Sequence, residues 1–159
     1  MIVRACEPRD RAALWSILEP VIRAGETYAL PRDMAEADAL AYWLDGRDVF
    51  VLEEEGQLLG TSYVRPNQMG GGCHVANGGY VTAEHARGRG IARTLCVHSI
   101  GHARARGFRA MQFNFVVSSN EQAVRLWQSC GFEIVGRLPG AFDHPRLGYV
   151  DALVMFRTL

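Results

Sequence analysis

A short stretch rich in arginine and glycine, at positions 87–92, carries the residue types that bind a phosphate group. It follows an apolar, strand-like run and opens a segment whose apolar residues repeat at helical spacing. Glycine lets the backbone approach a ligand closely, and the first N–H groups of a helix point at an anion. The stretch therefore predicts a pyrophosphate site, in which arginine side chains add positive charge. We expect it to be formed by Arg87, Gly88, Arg89, Gly90, Ile91 and Ala92.

Two common nucleotide-binding motifs do not fit this stretch. The dinucleotide fingerprint needs a third glycine after Gly88 and Gly90, and position 93 is Arg93. The phosphate loop of nucleotide hydrolases needs a Gly-Lys pair, and the chain contains no lysine. The pattern that remains is Arg-x-x-Gly-x-Ala, from Arg87 to Ala92.

This pattern resembles the acyl-CoA loop of the GNAT superfamily of N-acetyltransferases. A second motif, at 120–132, reads Asn-x-x-Ala-x-x-Leu-Trp-x-x-x-Gly-Phe and resembles the second GNAT signature, Asn-x-x-Ala-x-x-Leu-Tyr followed by Gly-Phe. Its apolar residues fall at i, i+3, i+4 and i+7, which predicts a helix, and Ser119 with Gln122 suggests a capping box. The resemblance covers residues 75–135 strongly and the rest of the chain loosely.

The order of predicted elements agrees with this resemblance. Strands are expected at 2–6, 49–53, 58–64, 75–83, 110–117, 133–136 and 149–156, and helices at 8–24, 33–44, 89–106 and after 119. Gly78-Gly79 suggests a bulge or a close backbone approach, and 140–148 reads as a loop. The resemblance implies an α/β fold with a mixed, mostly antiparallel sheet and helices on both faces. The splayed parallel strands at 75–83 and 110–117 would hold acyl-CoA, within a single domain over 1–159.

The resemblance also implies how acetyl-CoA, the co-substrate, is held. Its pantetheine arm would bond to the backbone of Val81, Thr82 and Ala83, and Asn120 would reach the pantetheine or the pyrophosphate. An amine would then attack the thioester directly. That reaction needs an acceptor for the ammonium proton, donors for the oxyanion and an acid for the leaving thiolate.

One departure from the family pattern concerns the acid. Trp127 stands where many GNAT enzymes carry the tyrosine that protonates the thiolate, and an indole N–H is no acid at neutral pH. We therefore expect Trp127 to pack beside the cofactor. Besides Asn120, Tyr80 is the catalytic candidate, and the proton acceptor stays open among Tyr80, His74, Glu84, His85 and a chain of water.

Two asparagines on apolar strands point to the acceptor site. Asn77 and Asn114 flank the expected gap, and buried amides need polar partners. With Tyr28 and Asn120, they resemble the L-azetidine-2-carboxylate acetyltransferases, fungal enzymes that acetylate small cyclic amines related to proline. The resemblance implies that Asn77 and Asn114 hold the substrate carboxylate and that Tyr28 shapes the pocket.

Composition limits the remaining classes. Seventeen basic residues balance 17 acidic ones, so the net charge of zero disfavours a nucleic-acid partner. No apolar run approaches a membrane span, and no signal-like stretch opens the chain. Four scattered cysteines fit free thiols in the cytoplasm. His98 and His102 lack a third ligand at suitable spacing, so we expect no metal site.

Three hypotheses follow. The preferred one is an N-acetyltransferase for a small, amino-acid-like amine, with a homodimer left open by the resemblance. The second is an acetyltransferase that modifies protein N-termini or lysines. The third is a non-catalytic acyl-CoA-binding module, which the missing tyrosine keeps open.

Overall fold

The computed structural model describes residues 1–159 and has the element order expected from the sequence. A single seven-stranded sheet has the strand order β1-β2-β3-β4-β5-β7-β6. The elements are β1 (Ile2–Ala5), α1 (Arg11–Ala24), α2 (Glu36–Leu44), β2 (Asp48–Glu54), β3 (Gln57–Pro66), β4 (Val75–Thr82), α3 (Ile91–Ala105), β5 (Ala110–Val117), α4 (Glu121–Ser129), β6 (Glu133–His144) and β7 (Gly148–Thr158).

The sheet is antiparallel everywhere except between β4 and β5. These two strands pair only at Val75 with Ala110 and at Ala76 with Met111. Beyond those positions β4 stays paired with β3 and β5 with β7, while β4 and β5 separate from each other. The separation, called the β4–β5 gap from here on, is the splayed parallel pair that the sequence predicted.

Helices cover both faces of the sheet, as neighbouring residues of β3 show. The indole N–H of Trp43, on α2, donates to Thr61 Oγ1 at 3.0 Å. A Cβ at the preceding residue, Gly60, would instead meet Ile91 and Leu95 of α3. Since adjacent residues of a strand face opposite sides, α2 and α3 lie on opposite faces. No helix is both long and apolar enough to span a bilayer.

Hydrophobic packing on the two faces fixes the position of the gap. One core cluster packs α1 and α2 against β2 and β3 around the buried Trp43. The other packs α3, α4, β5 and β7 around Met111, Phe113 and Met155. The two clusters meet at Tyr80 of β4, which packs against both. The gap therefore opens beside Tyr80, where the two clusters meet.

The expectation of a loop over 140–148 was wrong. Strand β6 extends to His144 and β7 begins at Gly148, with irregular pairing between Leu138 and Phe142. Most of β6 is exposed, so its sequence shows no alternation of apolar and polar residues. Gly140 N–H donates to Asp151 Oδ1 at 2.9 Å, which supports the irregular stretch.

Of two further local predictions, the one at Gly78-Gly79 was right in one of its two alternatives and the capping box of α4 was wrong. The pairing of β3 with β4 is continuous from Gly60–Thr82 to Pro66–Ala76, so Gly78-Gly79 forms no bulge. The alternative prediction, a close approach to the backbone, agrees with the structure, because a Cβ on Gly79 would lie 2.4 Å from the Tyr63 ring. Asn120, rather than Ser119, caps α4: its side chain accepts from Ala123 N–H at 3.4 Å.

Candidate active site

A cavity of about 710 Å³ passes through the β4–β5 gap. One end lies at the loop before α3, where Gly88 and Gly90 line it. The other end lies under the segment that follows α1, at Glu26 and Tyr28. The cavity therefore joins an anion site on one face of the sheet to a polar pocket on the other.

The start of α3 has the geometry of an anion cradle. Gly88 and Gly90 have φ values of 77° and 78°, which glycine adopts without strain, and a Cβ on either would meet nothing within 4 Å. Thr94 is the first residue of the helix whose N–H bonds back, to Gly90 O. The three preceding helical N–H groups, those of Ile91, Ala92 and Arg93, have no partner within the helix, and all three residues line the cavity.

The arginines of the loop divide into two groups. Arg87 lines the cavity, as expected. Arg89 does not, because its guanidinium is ion-paired with Glu54 of β2 at 2.5 Å. Arg93, which the sequence reasoning missed, takes its place on the cavity wall and donates to Ser129 of α4 at 2.8 Å. The signal was available, since Arg93 directly follows the Arg-x-x-Gly-x-Ala pattern that ends at Ala92.

The backbone of β4 offers a different set of donors from the one expected. Ala83 N–H donates to Leu59 O of β3, so Ala83 is committed to the sheet and lies outside the cavity lining. Because peptide groups alternate along a strand, Val81, which is paired with Thr61, also bonds toward β3. Tyr80 and Thr82 turn their N–H and C=O groups into the gap.

The hydroxyl of Tyr28 occupies this open edge. It donates to Tyr80 O at 3.0 Å and accepts from Tyr80 N–H at 2.9 Å. The ring packs edge-on against Trp43 with centroids 5.9 Å apart. Burial raises the pKa of Tyr28 well above that of a free phenol, so the hydroxyl stays protonated. Tyr28 therefore lies over the gap, as expected of a residue that shapes the acceptor pocket.

The phenol of Tyr80 points to the opposite face of the sheet from Tyr28. Its oxygen lies 2.5 Å from Ser99 Oγ, and Ser99 in turn donates to Cys96 O. Burial is the main cause that raises the pKa of Tyr80 well above its ordinary value. A phenol of this kind holds its proton at neutral pH, so Tyr80 does not suit the role of proton acceptor.

Trp127 and Asn120 flank the gap from α4. The Trp127 ring lies 4.8 Å from the Tyr80 ring and 5.2 Å from the Phe113 ring, centroid to centroid. It is buried and also lines the cavity, which agrees with packing beside a bound group. The Asn120 oxygen caps α4, so only its amide N–H groups are left for a ligand.

Asn77 and Asn114 come together in one polar network beside the gap, formed by Arg65, Asn67, Asn77, Gln112 and Asn114. Asn77 Nδ2 donates to Gln112 O at 3.0 Å, which ties β4 to β5 where their pairing ends. Asn114 donates to Asn67 Oδ1 at 2.6 Å and accepts from the Gln112 side chain at 2.8 Å. Each amide keeps one N–H for a ligand.

The other proton-acceptor candidates lie away from the cavity. His74, Glu84 and His85 are exposed and do not line it. His102 Nε2 lies 2.8 Å from Asp48 Oδ2, and His98 and His102 both pack against the Phe50 ring of β2. The residues described contain no group of three or more His, Cys, Asp or Glu side chains placed to hold a metal ion.

Comparisons with known proteins agree with this geometry. The model of the acetyltransferase (GNAT) family matches residues 14–132. A structure of a GCN5-related N-acetyltransferase from Kribbella flavida is 40% identical, with a TM-score of 0.95 over 99% of this chain and 97% of that one. A ribosomal-protein-alanine N-acetyltransferase from Brucella melitensis is 27% identical, with a TM-score of 0.88 over 100% of both chains.

A curated relative, the N-acetyltransferase aca1 of Schizosaccharomyces pombe, is 36% identical over 101 residues, which are 61% of this chain and 47% of that protein. The chain thus spans about half the length of this relative. The family match, by contrast, covers most of the chain and includes both motifs that line the cavity. The chain belongs to the acetyltransferase (GNAT) family.

Proposed function

We propose that this protein is an acetyl-CoA-dependent N-acetyltransferase that acetylates a small, amino-acid-like amine by direct attack. The observation that carries the proposal is the cavity through the β4–β5 gap, which joins the cradle at the start of α3 to the polar network on the other face. Acetyl-CoA would enter the gap from the cradle side and hold its thioester there. The amine would approach the thioester from the other side.

The pyrophosphate of CoA is placed on the N–H groups of Ile91, Ala92 and Arg93, with Arg87 and Arg93 supplying charge. The pantetheine follows the open edge of β4 and bonds to Thr82, in the manner of an added strand. The amide of Asn120 faces it from α4 and Trp127 packs beside it. Once the Tyr28 hydroxyl no longer accepts the hydrogen bond from Tyr80 N–H, this N–H is the donor nearest to the thioester carbonyl.

The chemistry requires one bond to form and one to break. The neutral amine forms a C–N bond to the carbonyl carbon, and the developing oxyanion is stabilised by Tyr80 N–H. The C–S bond then breaks, and the ammonium proton leaves to water in the open cavity. The Tyr80 phenol, held by Ser99, is the protonated group on the cofactor side that can stabilise the departing thiolate.

The acceptor end of the cavity favours a small molecule over a folded protein. Glu26, after α1, is ion-paired with Arg146 in the turn between β6 and β7, so two segments meet across the entrance. Tyr28 narrows the same end. The free amide N–H groups of Asn77 and Asn114 are placed to bind a carboxylate. The resemblance to the L-azetidine-2-carboxylate acetyltransferases names a small cyclic amino acid as the first acceptor to try.

A protein N-terminus is the second candidate acceptor. It is supported by the likeness to the Brucella enzyme, whose name specifies an alanine of a ribosomal protein. An alanine N-terminus is itself a small amine with a neighbouring carbonyl, so it presents similar chemistry to the gap. The difference is that a peptide carries no free carboxylate next to the amine.

Thiol release from acetyl-CoA, followed across a panel of amines, tests the proposal. The panel contains L-azetidine-2-carboxylate, proline, primary amino acids, polyamines, aminoglycosides and a peptide that begins with alanine. We expect turnover with small amino acids, and a larger rise in the apparent KM for the amine than for acetyl-CoA in Asn114→Ala. Turnover with the peptide alone would favour the second candidate, and binding of acetyl-CoA without any turnover would leave a non-catalytic binder.

We also propose a homodimer in the cytoplasm. Strand β6 exposes apolar side chains close together in the chain, with Ile134 41%, Val135 58% and Leu138 40% exposed, and such patches mark interaction surfaces. All four cysteines are free thiols, which fits a reducing compartment. Light scattering of the protein and of a Val135→Glu variant would test the dimer: the variant should be monomeric, and equal masses would contradict this surface.

A further inference from the structure

Arg65 lies near the end of β3, beside the acceptor end of the cavity. It is half-buried and lines the cavity. Its side chain makes one hydrogen bond, from Nε to Asn77 Oδ1 at 3.3 Å. No Asp or Glu oxygen lies within ion-pair distance of its guanidinium, although ten other ion pairs form in the chain. Its remaining N–H donors therefore have no partner within the protein.

The charges around the cavity leave Arg65 uncompensated. Glu26 is the one carboxylate that lines the cavity, and Arg146 neutralises it. Arg87 and Arg93 line the opposite end, at the cradle that the pyrophosphate occupies. Arg65 is thus the one arginine lining the acceptor end, and it has no carboxylate partner in the protein; a bound carboxylate would supply one.

The surroundings of Arg65 would strengthen a charge pair formed there. The neighbouring wall includes Tyr63, whose phenol is neutral because burial raises its pKa to about 12. The Arg47 guanidinium lies 4.2 Å from the centroid of the Tyr63 ring, so this wall carries no negative charge. A partly desolvated wall of this kind screens a charge pair less than water does. The hydrogen bond to Asn77 also orients the guanidinium beside the amide that we assign to the acceptor.

We propose that Arg65 binds the carboxylate of the acceptor, and that the acceptors are therefore amino or imino acids whose carboxylate is free. The inference rests on the proposed function and narrows its substrate class. The planar guanidinium suits a carboxylate because it presents two parallel N–H donors. Amines without an anionic group, among them polyamines, aminoglycosides and peptide N-termini, would leave this charge unpaired.

Paired substrates test the inference. Each amino acid accepted in the panel is compared with its methyl ester, which keeps the amine and loses the charge. We expect the wild type to prefer the acid. Arg65→Gln should lower kcat/KM for the acid by about 10- to 100-fold, since a hydrogen-bonded charge contact contributes about 1.5–3 kcal/mol. The kcat/KM for the ester should not change, because the ester has no carboxylate for Arg65 to bind. A loss caused only by damage to the structure would instead lower kcat/KM equally for the acid and the ester.

Arg104→Gln is the matched control, because Arg104 is exposed on the last turn of α3 and makes no side-chain hydrogen bond or ion pair. It should leave the ratio of acid to ester unchanged. Arg65→Lys, which keeps the charge, should restore part of the ratio and serves if Arg65→Gln does not fold. Equal use of acid and ester by the wild type, or an unchanged ratio in a folded Arg65→Gln, would overturn the inference while acetyl transfer stands. Absence of transfer to any amine would instead overturn the proposed function.

Discussion

Gly90→Glu is the substitution that should separate cofactor binding from folding. Gly90 caps α3 with φ of 78°, and a Cβ there would meet nothing within 4 Å, so the new side chain enters the open space of the cradle. Its carboxylate would stand beside the phosphates that we place on Ile91 to Arg93. Two like charges about 4 Å apart near a protein surface repel by about 4 kcal/mol. The Kd for CoA should therefore rise by about 10³-fold.

The backbone contributes a second, smaller effect. A residue other than glycine in the left-handed region costs about 1–2 kcal/mol of stability, which lowers the melting temperature by only a few degrees in a chain of this size. Gly107→Glu supplies the control. Gly107 follows the other end of α3, has φ of 85° and also has open space around a Cβ. It carries the same strain and the same charge far from the cradle.

Isothermal titration calorimetry with CoA, at low and at high salt, measures the effect. Gly107→Glu should bind CoA within about twofold of the wild type, and the defect of Gly90→Glu should shrink at high salt because screening weakens repulsion between exposed charges. A folded Gly90→Glu that binds CoA as the wild type does would refute the assignment of the cradle to the start of α3.

Three further substitutions test other contacts. Tyr28→Phe removes the hydroxyl bound to Tyr80 N–H and C=O, so thermal denaturation should show a loss of about 1–2 kcal/mol in the free energy of unfolding. Acetyl-CoA should bind several-fold tighter, whereas the affinity for CoA should not change. Unchanged affinity for acetyl-CoA would show that Tyr28 and the thioester do not compete. Trp127→Phe should keep kcat within about threefold if Trp127 only packs on Tyr80 and Phe113, and a hundredfold loss would point to its N–H. Asp10→Asn removes the negative charge and one of the two oxygens that accept hydrogen bonds from Arg4 at 2.7 and 2.9 Å; these bonds hold the pKa of Asp10 below its ordinary value. Because the pKa of Asp10 is lowered by folding, its contribution to stability is present above the unfolded pKa and is lost as the pH falls through the folded pKa. The variant should therefore be less stable by about 2–3 kcal/mol at neutral pH, and this difference should shrink as the pH falls below 3.8. A difference that does not change with pH would contradict the ion pair.

The parts of the fold with a strong local pattern could be predicted from the sequence. The element order, the turn at Glu55-Gly56 and the helix after Gly90 follow from apolar periodicity and from glycine placement. Strand β6 could not be predicted beyond Gly136, because its pairing is irregular and its side chains are mostly exposed. Alternation of apolar and polar residues arises when one face of a strand is buried. Most of β6 has no buried face, so its sequence shows no such alternation.

The site was predictable in its location and less so in its donors. Asn77, Asn114, Tyr28 and Trp127 line one cavity, as expected. The expected contact of pantetheine with the backbone at Ala83 did not take account of the pairing register with β3, in which Ala83 N–H bonds to Leu59 O; no sequence pattern reveals that register. Arg65 was missed for a related reason: its importance comes from the absence of a nearby carboxylate, and that is a property of the folded chain alone.

A crystal structure of the protein with acetyl-CoA would test the central claim most directly. We predict the pyrophosphate within hydrogen-bond distance of the N–H groups of Ile91, Ala92 and Arg93, and the thioester in the β4–β5 gap beside Tyr80, with the polar network open on the other side for the amine. Acetyl-CoA bound outside the gap, or with its thioester sealed from the acceptor pocket, would contradict the account.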